Sequence, residues 1–277
     1  MKNFLFNQPY PFERLKRIRI SLCCIIITLL TLGPYDSFYV DTAPWLFNGK
    51  AFFLNFPNLG IHFWTLKYFV IFLAACVALD YYRLITRPLF AVAYFIFSFY
   101  VTCFGTTYWI TNTHLIFFSL AICFEPTLRN MNYNAAQKEL ASFIIAFMIT
   151  YISVLYFQAG LSKLLLGGWN WFLEGKRIWT ETILLGTPFG KWLTKWPWIF
   201  RGIGIGTGIF ELIFPFFFFF RKTQRWVASI AILFHLGTFV IMGISFWFLW
   251  ILYPAIFFTR LNPGLNRPGK FLRKETI

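Results

Sequence analysis

The sequence YFQAGLSKL, residues 156–164, closes a long apolar run and places Lys163 before that run is over. The run extends over about residues 140–166, which is long enough for one helix to cross a bilayer. An ammonium at the centre of such a helix costs about 2.5–3.5 kcal/mol, so it needs a partner or a function. A lysine near the helix end can instead extend its long side chain to the interface. Position alone leaves both interpretations of Lys163 open.

The composition indicates a membrane protein. Of the 277 residues, 58% are hydrophobic, 23% are aromatic and only 13% are charged, whereas a typical soluble domain has about 25% charged residues. Apolar runs recur along the whole chain and leave no room for a separate soluble domain. We therefore predict a single integral membrane domain over residues 1–277.

The apolar runs predict an all-α fold, a polytopic transmembrane helix bundle of about eight spans. The predicted spans are residues 18–34, 62–82, 88–107, 110–124, 140–166, 199–220, 226–243 and 246–259. The fourth and eighth spans are short for a full crossing, which needs about 17–25 apolar residues. We also expect Pro254 to kink the eighth span, because proline leaves the carbonyl of Trp250 without its helical donor.

The basic residues orient these spans. Most of the 25 lysines and arginines lie in alternate connections and at the two chain ends, whereas the connections 107–110 and 243–246 have none. This alternation follows the positive-inside rule and places both termini in the cytoplasm. The net charge of +15 thus indicates contact with membrane lipid, and nucleic acid is not expected as a partner. We predict an integral protein of a bacterial inner (plasma) membrane.

Two connections on the outer side are long and aromatic. Residues 35–61 combine a tryptophan and several phenylalanines with few charges. Residues 167–198 contain many tryptophans interleaved with lysine and arginine. Tryptophan at this density is typical of a membrane interface. Both segments are therefore predicted to lie at the outer surface of the bundle.

The sequence contains no metal-ligand pattern. Its five cysteines lie in apolar runs without a Cys-x-x-Cys pair, and its three histidines are far apart in the chain. Neither a metal site nor a disulfide framework is predicted. Gly204 and Gly208 have the small-xxx-small spacing that is typical of packed transmembrane helices. We therefore expect the chemistry to be carried by the few ionisable residues inside the predicted spans.

Two pairs of such residues are candidates. Lys163 and His114 lie towards the outer ends of neighbouring antiparallel spans, where a neutral lysine beside a histidine suits a base and its hydrogen-bond donor. Glu211 and His235 each lie nine residues from the inner end of consecutive spans, at the same depth. A carboxylate–imidazole pair at that depth is either functional or a structural clamp between helices. His114 has a structural alternative too, as a polar helix-start residue satisfied by solvent or Asn112.

Three short motifs give the chain a family resemblance. They are Ala159-Gly160-x-x-Lys163-Leu164 followed by Trp169 and Gly175, Asn112-Thr113-His114, and Phe234-His235 with Ile241-Met242-Gly243. Together they resemble the membrane module of the vitamin K-dependent gamma-glutamyl carboxylase, the HTTM domain of a wider bacterial family. The resemblance implies that Lys163 is the base that deprotonates a reduced quinone, with His114 as its partner. As substrate-binding residues we predict Asn112, Gln158, Trp169, Glu211 and His235.

The resemblance implies oxygen-dependent epoxidation of a reduced, vitamin K-like quinone, coupled to removal of a proton from an acceptor. The carboxylase continues into a large hydrophilic domain that holds its protein substrate, whereas this sequence ends at Ile277. We therefore expect a small-molecule reaction or a separate soluble partner, and not carboxylation of a docked protein. Two alternatives stay open. One is a membrane maturation factor for a secreted peptide toxin of the sporulation-delaying type, and the other is a non-catalytic quinone or lipid binder.

Overall fold

A computed structural model describes residues 7–32, 59–104, 108–126, 134–244 and 247–258, and every regular element within these ranges is helical. The helices are α1 (Pro11–Leu32), α2 (Leu59–Ala78), α3 (Arg83–Phe104), α4 (Tyr108–Cys123), α5 (Ala135–Glu174), α6 (Lys176–Leu185), α7 (Pro188–Leu193), α8 (Pro197–Leu212), α9 (Phe214–Phe217), α10 (Gln224–Met242), α11 (Trp247–Trp250) and α12 (Tyr253–Phe257). The all-α prediction is confirmed. The predicted interfacial segment 35–61 lies largely outside the described residues, as do both chain ends.

Proline explains where two of the predicted spans are interrupted. The predicted span 199–220 forms α8 and α9, which are separated after Leu212, and Pro215 lies in the first turn of α9. The predicted span 246–259 forms α11 and α12, and Pro254 lies in the first turn of α12. Proline is tolerated in a first turn because the amide hydrogen it lacks would have no helical acceptor there. The expected interruption at Pro254 is confirmed.

Two of the described helices are long and apolar enough to cross a membrane, namely α5 and α10. Residues Phe63–Ala78, Thr113–Cys123 and Trp247–Phe257 form shorter apolar segments. Within its most apolar window, α10 is only 22% buried inside the chain, compared with 56% for α5. The core helix of a soluble protein would be mostly covered, so α10 turns an apolar surface outwards.

Helix α5 is the longest described element and begins and ends at clear signals. At its start, the Asn134 side chain accepts from the amide of Gln137, and the Gln137 side chain accepts from the amide of Asn134, forming a capping box. The helix kinks at Gly168 (φ 63°, ψ −170°) and ends at Gly175, whose φ of 60° is left-handed. Both conformations favour glycine because a Cβ atom would be strained there.

Small residues let α8 pack closely against α5. A Cβ atom on Gly160 of α5 would lie 2.9 Å from the Cβ atom of Glu211 on α8. A Cβ atom on Gly204 would lie 2.4 Å from the carbonyl oxygen of Phe172, and one on Gly208 would lie 2.8 Å from the Phe172 ring. Neither contact leaves room for a larger residue. The small-xxx-small prediction for Gly204 and Gly208 is confirmed.

Ion pairs connect α1 and α3 with the residues that directly follow α2 and α4. Glu125 lies 3.0 Å from Arg19 and 3.2 Å from Arg87, and Arg87 also donates to Asp80 at 2.6 Å. Both arginine side chains are about 95% buried. Burial raises the pKa of Glu125, and the charges of Arg87 and Arg19 oppose that rise. These arginines, which the sequence indicated only as topology signals, therefore connect α1 and α3 with the segments after α2 and α4.

Candidate functional site

The candidate site centres on a bidentate ion pair between α5 and α8. The ammonium of Lys163 donates to Glu211 Oε1 at 2.5 Å and to Oε2 at 2.6 Å. The Glu211 side chain is 6% exposed, whereas that of Lys163 is 28% exposed. Glu211 is therefore the buried member of the pair, and Lys163 is the partly exposed member. An ammonium with this partner is no longer an uncompensated charge inside an apolar helix.

The helical repeat explains why these two side chains meet. Tyr156, Gly160 and Lys163 share one face of α5, at positions i, i+4 and i+7. Because Gly160 has no side chain, Glu211 of α8 approaches the α5 backbone one turn before Lys163. The Lys163 side chain then reaches the carboxylate from the next turn. Glycine and lysine in the Ala159-Gly160-x-x-Lys163 motif thus serve one contact.

Trp171 covers the ammonium on another side. The Lys163 Nζ atom lies 5.3 Å from the centre of the Trp171 ring, within the range of a cation–π contact. The kink at Gly168 lies between these two residues. The predicted substrate-binding tryptophan, Trp169, is instead 63% exposed. Trp171 is therefore the tryptophan that the structure places beside Lys163.

A groove of about 570 Å³ adjoins this tryptophan. Its lining combines acidic, basic, polar and apolar side chains from the end of α5 and from α6: Gly167, Asn170, Trp171, Glu174, Lys176, Arg177, Thr180, Glu181 and Leu184. Arg177 and Glu181 in this lining form an i,i+4 ion pair at 2.6 Å. Because Trp171 both lines the groove and contacts Lys163, the groove lies next to the ion pair.

A second polar cluster lies deeper in the helix assembly. The Tyr156 hydroxyl forms hydrogen bonds with His235 Nε2 and with the Tyr253 hydroxyl, both at 2.6 Å. All three residues are at most 5% exposed. Tyr156 lies two helical turns before Lys163 on the same face of α5. The cluster joins α5, α10 and α12 through a single hydroxyl group.

The predicted partners take different contacts in the structure. Glu211 contacts Lys163 and His235 contacts Tyr156, so the Glu211–His235 pair stays a prediction. His114 is 2% exposed, donates from Nε2 to the carbonyl of Phe248 at 3.3 Å and stacks on the Phe248 ring. Its predicted partnership with Lys163 also stays a prediction.

The other predicted binding residues contribute less to the described geometry. Gln158 has an exposed side chain, on α5. The side chain of Asn112 lies outside the described residues, although its backbone belongs to α4. In the part of the chain that the structure describes, no group of three His, Cys, Asp or Glu side chains could hold a metal ion.

The sequence reasoning missed three residues of these clusters. Tyr156 binds both His235 and Tyr253, and Trp171 contacts Lys163. A signal for Tyr156 was present, because it lies seven residues before Lys163 and a buried tyrosine hydroxyl needs a partner. Trp171 could not be distinguished from its neighbour Trp169 without knowledge of the kink at Gly168.

No protein-family model, curated protein or solved structure matches this chain.

Proposed function

We propose that this chain is an HTTM-like integral membrane enzyme in which Lys163 acts as a base on a reduced quinone or a similar lipid-soluble substrate. The observation that carries the proposal is the Lys163–Glu211 pair, in which the ammonium contacts the Trp171 ring beside a groove. The three-motif resemblance supplies the reaction class, and the site supplies a base with a proton acceptor beside it.

The surface of the helices supports the proposed membrane location, and the count of about eight spans stays part of the proposal. Large apolar side chains are exposed on several helices, including Phe72 on α2 (63%), Val92 on α3 (53%) and Leu233 on α10 (65%). Soluble monomers rarely expose contiguous apolar surface on this scale. Arg14 and Arg19 lie in the first half of α1, and Arg87 lies near the start of α3. The proposed orientation places both segments on the cytoplasmic side, in line with the positive-inside rule.

The pairing of Lys163 explains how a lysine could serve as a base here. A lysine must lose its proton before it can accept another, and Glu211 is placed to take that proton at 2.5–2.6 Å. Transfer leaves a neutral amine and a neutral carboxylic acid, which an apolar environment accommodates better than two separated charges. The amine then accepts the proton of the quinol hydroxyl. Glu211 is accordingly proposed as a proton store and not as a substrate ligand.

The residues around the pair suit an aromatic, weakly polar substrate. Trp171 offers a flat ring for a quinone to stack against, and the adjoining groove has a volume typical of small-molecule sites, about 300–1,000 Å³. Asn170 and Thr180 in the lining offer hydrogen bonds to hydroxyl groups. The partly exposed Lys163 is within reach of a molecule at this position.

The test is oxygen-dependent turnover of vitamin K hydroquinone by the purified protein in detergent micelles, with quinone epoxide as the product measured. Water is the second product, so one hydroquinone and one O₂ are consumed for each epoxide formed. Lys163→Arg should lower the rate at least about 100-fold, because arginine cannot lose its proton.

Lys67→Arg is the matched control for this substitution. Lys67 is more buried than Lys163, at 3% exposed, and its Nζ atom likewise lies near a tryptophan, 4.6 Å from the centre of the Trp64 ring. The control should therefore retain most of the activity. Full activity in Lys163→Arg would contradict the base role. Quinone binding without turnover in the unmodified protein would support the non-catalytic binder instead.

A further inference from the structure

A second cavity lies at the opposite end of the helix assembly from the Trp171 groove. It has a volume of about 570 Å³ and lies where α1, α10 and α12 meet. Its lining contains four basic side chains, Arg14, Arg221, Lys222 and Arg225. Among the described residues that line it, none is acidic. Four cations around one cavity repel each other, so an anion bound between them would be stabilised.

Arg14 shows that this cavity is a built site and not only a charged surface. Arg14 is 2% exposed and precedes the predicted span 18–34. Its guanidinium donates to Gln8 Oε1 at 2.9 Å and to the carbonyl of Ile256, both of which are neutral acceptors. Burial lowers the pKa of Arg14 to about 10, with Arg221 and Arg225 adding to the shift, so its positive charge persists at neutral pH.

Beside the four basic residues, the lining contains the apolar or aromatic residues Pro9, Trp226, Phe257 and Phe258 and two neutral polar residues, Gln224 and Ser229. Phe257 and Phe258 form one part of the wall, and Trp226 is 74% exposed. A free phosphate ion would be surrounded better by polar groups alone. A phospholipid instead has a phosphate group beside glycerol and acyl chains, which matches basic residues beside aromatic ones. Tryptophan at the rim is also typical of the headgroup region of a bilayer.

The helix ends around the cavity add two further features. Helix α10 begins at Gln224, so the positive end of its dipole lies at the cavity. Ser229, one turn further along, offers a hydroxyl group. The basic residues on this side belong to the connections predicted to be cytoplasmic, and the cytoplasmic leaflet is the one that attracts polybasic segments.

We infer that this cavity binds the phosphate group of an anionic phospholipid through Arg14, Arg221, Lys222 and Arg225. The inference is independent of the proposed reaction at Lys163, and the two sites can fail separately.

The experiment compares thermal unfolding of the detergent-solubilised full chain with three additives at equal ionic strength. These are dioleoyl phosphatidylglycerol, dioleoyl phosphatidylcholine and glycerol 3-phosphate. Phosphatidylglycerol should raise the unfolding temperature in a saturable way, whereas phosphatidylcholine should not. A rise with glycerol 3-phosphate at similar concentrations would overturn the lipid as the source of the phosphate.

Two variants locate the effect. The double variant Arg221→Gln/Arg225→Gln removes two exposed charges from the cavity and should weaken the apparent affinity for phosphatidylglycerol at least tenfold. The control Lys191→Gln/Lys195→Gln removes the same charge from exposed positions elsewhere and should leave that affinity unchanged. Equal weakening in both variants would show a general charge effect and overturn the site.

A further variant keeps the test decisive if the double variant does not fold. Ser229→Asp places a carboxylate in the cavity without removing any basic residue. It should abolish the phosphatidylglycerol effect while leaving the unfolding temperature in phosphatidylcholine nearly unchanged. Retention of the full phosphatidylglycerol effect in Ser229→Asp would overturn the inference.

Discussion

The Lys163–Glu211 pair predicts an unequal response to removing its two members. In Lys163→Met, the Glu211 carboxylate stays 6% exposed and loses both of its hydrogen bonds. Leaving a buried charge without its partner costs about 3–5 kcal/mol, and protonation of the carboxylate limits the cost to about 3 kcal/mol. In Glu211→Gln, the 28% exposed Lys163 keeps one amide acceptor and can reach water, so the cost should be about 1 kcal/mol.

Thermal unfolding in detergent measures this difference. A loss of 1 kcal/mol lowers the unfolding temperature by about 2–4 °C for a domain of 150–250 residues, and we apply the same scale to this chain. Lys163→Met should therefore lower it by about 6–12 °C, and Glu211→Gln by about 2–4 °C. The double variant Lys163→Met/Glu211→Gln should unfold above Lys163→Met, because no buried carboxylate remains. Additive losses, or a larger loss in Glu211→Gln than in Lys163→Met, would refute the pairing.

Three further predictions concern contacts between other residues of the described helices. Gly160→Ala should cost about 1–3 kcal/mol of unfolding free energy, because the new methyl group would lie 2.9 Å from Glu211 Cβ. The control Gly206→Ala, with nothing within 4 Å of its methyl group, should be neutral or stabilising. Equal unfolding temperatures for the two variants would contradict the close approach. Arg87→Met should lower the unfolding temperature by about 6–12 °C, since it removes a buried partner of Glu125 and Asp80, and an unchanged temperature would argue against that network. Tyr156→Phe should lower the free energy of unfolding by about 1–3 kcal/mol, because it removes the hydroxyl that binds His235 and Tyr253. Tyr151→Phe, at a half-buried position, should lower it by less. The reverse order would contradict the cluster.

Much of the helix pattern could be predicted from the sequence. The apolar run 140–166 gives the middle of α5, and Pro215 and Pro254 mark the interruptions in two other spans. The sequence could not show where α5 ends. The run loses its apolar character after residue 166, but the helix continues to Glu174. It passes through a kink at residue 168, where the backbone conformation requires glycine.

That difference explains why the partner of Lys163 was missed. With the span ending at 166, Lys163 lies three residues from the outer end, and Glu211 lies much deeper in its own span. In the structure, Lys163 lies 11 residues before the end of α5 at Glu174, and Glu211 lies 14 residues after the start of α8 at Pro197. The two residues therefore lie at similar depths. Gly160 then lets the two helices approach closely enough for contact.

The helical repeat in the sequence predicts one part of the site but not the other. Tyr156 and Lys163 share a face of α5, which follows from the helical repeat alone. The contact of Tyr156 with His235 and Tyr253 depends on how α10 and α12 pack against α5, which no local pattern specifies. The roles of Arg19 and Arg87 were hidden for a similar reason. Their charges indicate topology, whereas their ion pairs depend on how α1 and α3 pack against the segment after α4.

The central claim, that Lys163 is a base, is tested most directly by chemical rescue. Lys163→Ala should lose epoxide formation from vitamin K hydroquinone and leave space for a small amine beside Glu211. Added ethylamine should restore measurable turnover, and at equal concentrations of the neutral free base, amines of higher basicity but equal size should restore more of it. Guanidinium chloride at the same concentration supplies a cation that cannot act as a base and should restore none. Equal rescue by guanidinium and ethylamine, or undiminished turnover in Lys163→Ala, would contradict the account.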